Sequence, residues 1–231
     1  MSTVEKASKT HAARHQPGSA TAVAAALEQG IIFGRLSPRE RLVEDDLIAE
    51  FATTRHQVRK ALVSLEEKGL VELRPHRGAQ VRYIEDTELQ AIYEMRELLQ
   101  SQAARRMPLP LPHASLEALL AIQHQHDAAI AAGDLQAVFV ANNRFHDAFF
   151  AACGNPWLMD DIKRYTALAH PVRSYAIGDG TLLRRSQQEH HAIISAAREG
   201  RREELIHLVV THLHSARDAY VQFQARRGPL G

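Results

Sequence analysis

Three histidines stand on apolar stripes of segments whose hydrophobic period is near 3.6. In residues 134–153 the stripe is Val138, Phe139, Asn142, Phe145, His146 and Phe149. Four residues overshoot one helical turn by about 40°, so Asn142 and His146 share a face one turn apart. Residues 182–199 carry Leu183, His190, Ile193, Ile194 and Ala197 on one stripe, and residues 201–226 carry Leu205, Leu208, Val209, His212 and Ala216. Each of these helices therefore aims an imidazole inward. Singly, such a histidine is more often a hydrogen-bonded core residue than a ligand. Together, three imidazole nitrogens and a side-chain oxygen suit zinc, nickel or a similar divalent ion. The other histidines, including His113, His124, His170, His191, His207 and His214, fall at surface or ambiguous positions.

Arg96 is stranded in the same way, in the middle of the stripe Leu89, Ile92, Tyr93, Leu99 and Ala103. A guanidinium facing a core needs an anionic partner, either an acid of the bundle or a bound carboxylate. Four residues on stands Gln100, so the most obvious internal partner is missing.

A second chemistry lies in EDDLIAEFATTRHQVRKALVSLEEKGL, residues 44–70. Apolar residues recur at Leu47, Ile48 and Phe51, break at Thr53 and Thr54, and return at Val58, Ala61, Leu62 and Leu65, which describes two amphipathic helices joined by a tight turn. In a helix-turn-helix the second helix presents its N-terminal end to the major groove. Here that end carries Thr54, Arg55, His56, Gln57 and Arg59, side chains suited to phosphates and base edges. Gly69 stops the helix, and VELRPHRGAQVRY gives two short strands, 70–74 and 79–83, turning at Pro75 and Gly78: a wing. From Thr53 to Tyr83 there are seven basic and three acidic residues, +4, whereas Leu36 to Phe51 carries −3, in a chain of net charge +1. Local positive charge of this kind marks a nucleic-acid surface. The alternative is a helix-turn-helix used only for protein contacts.

The elements that must position these residues fall into two domains. Residues 1–19, rich in Ser, Ala, Lys and His, are expected to be a disordered leader. Residues 20–84, opening with the helix TAVAAALEQGIIFG that Gly34 ends, form the winged helix-turn-helix. Residues 87–227 read as helix throughout, with breaks that leave segments at about 87–107, 115–131, 134–153, 157–177, 182–199 and 201–226. The fold class is mainly α: an N-terminal winged helix-turn-helix followed by an antiparallel α-helical bundle. At 231 residues and 45% apolar, the chain supports two cores and excludes disordered and fibrous classes. The single cysteine, Cys153, cannot form an internal disulfide and points to a reducing cytoplasm. Without about 18 consecutive apolar residues or a signal-peptide core, no membrane role is expected.

The run GRLSPRERLVEDDLIAEFATTRHQVRKALVSLEEKGLVELRPHRGAQV resembles the winged-helix domain of the GntR family of bacterial transcription regulators over about Thr21 to Tyr83. The Gly-Arg-Leu-x-Pro opening, the Thr-Arg-x-x-Val-Arg helix start and the Arg-Gly wing occur in the family's order. Arg39 departs from it, standing where such proteins usually have Gly. The resemblance implies contact of Arg55 and Arg59 with bases and phosphates, support from Thr54 and His56, and a wing tip in the minor groove at His76, Arg77 and Gly78. ANNRFHDAFFAACGNPWL and SQQEHHAIISAAREGRREELIHLVVTHL resemble the FCD (FadR-like) effector domain of one GntR subgroup, over about Thr87 to Gln224. Many such domains bind a metal through an Asp and three His. The matching positions are Asn142, His146, His190 and His212, where Asn142 keeps a carbonyl oxygen and drops a charge. FCD domains also bind small organic acids near the metal, which implies a ligand role for Arg96.

The expectation is a homodimeric bacterial cytoplasmic regulator, not an enzyme, that binds a pseudo-palindromic double-stranded operator under control of a small carboxylate and a divalent metal ion. Two rivals use the same histidines. A metallohydrolase would need an open coordination position and a general base, for which only Asp147 and Glu189 are sequence neighbours of the cluster. A pure metal sensor would take the ion itself as the signal.

Overall fold

The computed structural model describes residues 18–74, 78–169, 172, 175–177 and 179–227, except the side chains of residues 223, 224, 226 and 227. The leader through residue 17 and the wing-tip residues His76 and Arg77 lie outside the described residues.

Helix α1 (Ala20–Ile32) starts where the Ser19 hydroxyl accepts a hydrogen bond from the Ala22 N–H at 3.2 Å. It buries Val23, Ala24, Leu27 and Ile31 against α3 (Arg55–Glu67), whose own stripe of Val58, Ala61, Leu62 and Leu65 is fully enclosed. Thr54 caps α3, its hydroxyl accepting from the Gln57 N–H. Helix α2 (Glu44–Glu50) precedes it and buries Leu47. Strand β1 (Arg41–Leu42), which sequence reading did not anticipate, pairs antiparallel with β3 (Gly78–Val81), and β3 with β2 (Val71–Arg74), giving the order β1-β3-β2. Two residues are too few to display a period of two, which is why β1 left no mark.

Between α2 and α3 the chain turns through Ala52 at φ 45°. A left-handed backbone costs a non-glycine residue about 1–2 kcal/mol, part of which glycine would return as unfolded-state entropy. Ala52→Gly is therefore expected to stabilise the protein by about 0.5–1 kcal/mol, seen as a higher thermal midpoint, and a lower midpoint would contradict a strained turn. Arg39 adopts φ 67° as well. Its guanidinium lies 4.2 Å from the Tyr83 ring centre and 2.9 Å from Glu85.

The second domain comprises α4 (Asp86–Arg106), α5 (His113–Ala132), α6 (Leu135–Ala151), α7 (Pro156–Leu168), α8 (Gly180–Glu199) and α9 (Arg202–Arg227). Asp134, Asn155 and Asp179 cap the starts of α6, α7 and α8. The expected segment 157–177 is interrupted: α7 ends at Leu168, three residues before Pro171, which has no N–H to offer the Ala167 carbonyl, and residues 172 and 175–177 are again helical. Helix α5 packs on α6 and α8, and α9 packs on α4 and α8. Phe145, Phe149, Leu119, Ile193 and Leu205 fill the centre.

Candidate functional site

Helices α6, α8 and α9 bring His146, His190 and His212 together, with one nitrogen of each within 4.8 Å of the others. The Nε2 atoms of His146 and His212 are 3.3 Å apart. Two nitrogens bound tetrahedrally at 2.0–2.1 Å would lie about 3.3–3.4 Å apart, so this edge already has coordination dimensions. His190 is fully buried, its ring stacked on Phe145 with centroids 3.9 Å apart.

The neighbours fix which nitrogen faces the cluster. Asp127 accepts from the Gln123 amide nitrogen at 2.7 Å, which leaves the Gln123 carbonyl to accept from His190 Nδ1 at 3.0 Å. The His190 lone pair therefore sits on Nε2, which is buried and has no hydrogen-bond partner among the described residues. His212 donates through Nδ1 to Glu189 at 2.7 Å, again turning Nε2 toward the cluster. Burial opposes ionisation of Glu189, but its bond with His212, together with those from Ser215 and Arg185, holds the carboxyl below its ordinary range. An orphaned buried acceptor on His190 beside the oriented imidazole of His212, with His146 Nε2 at 3.3 Å from the latter, fits a divalent cation. His146, His190 and His212 would hold it, with the Asn142 carbonyl, nine-tenths buried on the same wall, as the oxygen donor.

The cluster borders a cavity of about 80 Å³. Arg96 lines it, 7% exposed, its Nε and Nη1 unpartnered among the described residues and its guanidinium 4.7 Å from the Tyr93 ring centre. Among the described residues, the internal ion pair that sequence left open is not formed.

Burial first, and then neighbouring imidazoles, push His190 well below its ordinary value of 6.5, and burial also lowers His126. Both stay neutral in the fold while the unfolded chain takes up protons near pH 6.5, so stability falls as pH drops below that value. In chelator-treated protein each contributes a slope of up to about 1.4 kcal/mol per pH unit. Melting should therefore occur at distinctly lower temperature at pH 5.5 than at pH 7.5, and equal midpoints would count against neutral core imidazoles.

The first domain presents a concave face lined by Arg41, Val43, Arg55, Arg59, Val63 and Arg74. Arg55 and Arg59 are more than half exposed. Glu44 holds Arg59 at 2.9 Å, and Asp45 pairs with Arg55. Exposed pairs of this kind contribute little to stability. Thr54 and His56 are exposed beside them. Gln57, expected among the reading side chains, instead accepts from the Ala20 N–H at 2.9 Å and ties α3 to the start of α1. Gly78 has a structural reason of its own: at φ 78° an added Cβ would stand 2.9 Å from the Leu42 carbonyl oxygen.

Sequence reading missed His126 and Gln123, both buried in α5, and Arg41, which it counted only within the acidic stretch before the recognition helix. The signal for the first two was present, since Leu119, Ile122, Gln123, His126 and Ala129 repeat at spacings of three and four.

Residues 19–81 match the family described as bacterial regulatory proteins, gntR family, and residues 91–215 match the FCD domain. The chain is 28% identical over 149 residues to the HTH-type transcriptional repressor RspR of Escherichia coli strain K12, covering 64% of each protein. It is 29% identical over 195 residues to the galactonate operon transcriptional repressor of the same strain, covering 74% of this chain and 83% of that protein. The first match thus spans less than two thirds of that relative's length. In fold, the putative transcriptional regulator GntR from Rhodococcus sp. RHA1 aligns with a TM-score of 0.71 at 23% identity, over 88% of this chain and 97% of that one. E. coli McbR/YncC aligns at 0.66 and 19%, over 89% and 98%. Among the described residues no helix is long and apolar enough to cross a membrane.

Proposed function

We propose, from the premise that this chain belongs to the GntR family of bacterial regulatory proteins and carries an FCD domain, that it regulates transcription by binding operator DNA through its winged helix under control of a small organic acid. The family and its named relatives are transcription regulators, so the histidines serve binding and not turnover. Glu189, the nearest acid, is committed to His212, Ser215 and Arg185 and does not act as a general base.

The observation that carries the effector reading is the state of Arg96. A permanently charged group buried with unmet donors beside a cluster of metal-ligating type calls for an anion. A bound zinc or nickel ion would add positive charge with coordination positions open to a carboxylate oxygen. The relative that represses a galactonate operon, named for a sugar acid, is consistent with an acid signal. Acid binding would reposition two winged helices of a homodimer and so change affinity for a pseudo-palindromic site. A pure metal sensor would leave Arg96 without a partner.

Calorimetry separates these readings. Arg96→Ala is expected to keep its metal content yet lose affinity for small carboxylates by at least about tenfold, the loss of one charge-assisted contact. Retained acid affinity would remove Arg96 from the site and favour the metal as the only signal.

A further inference from the structure

Helix α2 holds the two arginines of α3 in different ways. Leu47 of α2 is buried in one core cluster with Val58 and Leu62 of α3, which fixes the helices against each other. Glu44 stands three residues before Leu47 on the same face, so it confronts α3, and its side chain is 21% exposed. Both of its carboxylate oxygens accept from a single donor, Arg59 Nε, at 2.9 and 3.1 Å. With Nε engaged, Arg59 keeps its terminal Nη1–H and Nη2–H pair without a partner among the described residues, on a side chain 63% exposed at the concave face. Arg55 differs. Its Nη2 donates to Asp45, an exposed acid, and its Nε lies 3.9 Å from Glu44. Of the two guanidinium groups, only that of Arg59 has its terminal edge intact.

Two parallel N–H donors match the O6 and N7 acceptors that guanine shows in the major groove. We infer that Glu44 is a positioning residue for DNA reading: by holding Nε it presents the terminal edge of Arg59 to a guanine of the operator, and so sets specificity without touching a base. The inference rests on the reading of α3 as the DNA-facing helix. Charge alone would argue against a carboxylate here. Among Arg41, Arg55, Arg59 and Arg74 it repels phosphate and weakens binding to any duplex. Its compensation is order. Immobilising a long side chain on binding typically costs about 2–12-fold in affinity, and a guanidinium already held by Glu44 has met part of that cost before DNA arrives. Both effects raise specificity, since duplex in general is disfavoured while a site with guanine in the right place is not.

The test uses the full chain, an operator selected in vitro with it, a scrambled duplex, and operators in which each guanine in turn is replaced by 7-deazaguanine, which lacks the N7 acceptor. In wild type one such replacement per half-site should weaken binding at least about fivefold, and in Arg59→Ala the same replacement should matter by less than about twofold. Glu44→Ala should bind operator about 2–12-fold more weakly, bind scrambled duplex no less tightly than wild type, and lose at least about half of the 7-deazaguanine effect. Glu44→Gln keeps a carbonyl oxygen for Nε–H and should restore that effect. These directions separate positioning from its rivals: a folding defect would weaken both duplexes, and simple loss of a negative charge would strengthen both. A full 7-deazaguanine effect in Glu44→Ala would overturn the role of Glu44 while leaving DNA reading in place. An effect that persisted in Arg59→Ala, or that no guanine showed in wild type, would overturn Arg59 as the guanine reader. Equal wild-type affinity for operator and scrambled duplex would overturn the DNA reading of α3 and this inference together.

Discussion

Replacing His190 with alanine should abolish binding of a divalent metal ion at the histidine cluster and leave the protein less stable. His190 supplies one of three nitrogens that the fold gathers within 4.8 Å, and it is the one with no alternative occupation, since its Nε2 has no partner among the described residues. Loss of a residue that merely supports a ligand typically costs 10–100-fold in metal affinity, so loss of the ligand itself should cost at least about 100-fold. The apo-protein should suffer as well. Removing a fully buried ring stacked on Phe145 opens a cavity and orphans the Gln123 carbonyl, for a loss of about 2–3 kcal/mol. Metal analysis after dialysis and a thermal melt read the two effects separately. A His190→Ala protein with wild-type metal content would reduce these histidines to ordinary core residues.

Arg55→Ala should weaken operator binding by about 1–3 kcal/mol, a factor of roughly 5–150, if the guanidinium reads a base edge. Folding should hardly change, because Arg55 is more than half exposed and its pairs with Asp45 and Glu44 are surface pairs. That separation of effects is what identifies a reading residue. A gel-shift series on specific and scrambled DNA distinguishes base contact from phosphate contact: loss confined to the operator indicates a base, and equal loss on both indicates a phosphate. Unchanged operator affinity would mean that α3 does not read DNA through this residue.

Much of this site could be seen in the sequence because local periodicity carries it. The stripes that hold His146, His190, His212 and Arg96 are runs at spacings of three and four, and the structure closes the first three into one cluster. Arg96 could be read as buried, but not as unpaired, because what surrounds it comes from other helices. Partner relations across the fold left no local trace. Glu189 and His212 are 23 residues apart, Gln123 and His190 are 67, and Gln57 meets Ala20 across 37. His126 and Gln123 are a different case, since their stripe in α5 is as regular as the others but lies within Gln-His-Gln-His, residues 123–126, where consecutive polar residues mask the buried face. The early end of α7 before Pro171 was also legible, from the missing N–H alone.

In the proposed function an acid in the bundle controls DNA affinity through Arg96. Fluorescence anisotropy of a labelled operator, selected in vitro with this protein, tests it in one titration. With zinc present, saturating succinate should change wild-type operator affinity by about 5–150-fold, the span of an ordinary coupling free energy, and should change that of Arg96→Ala by less than about twofold. Operator affinity that ignored every small acid tested in the wild type, or that responded identically in Arg96→Ala, would contradict it.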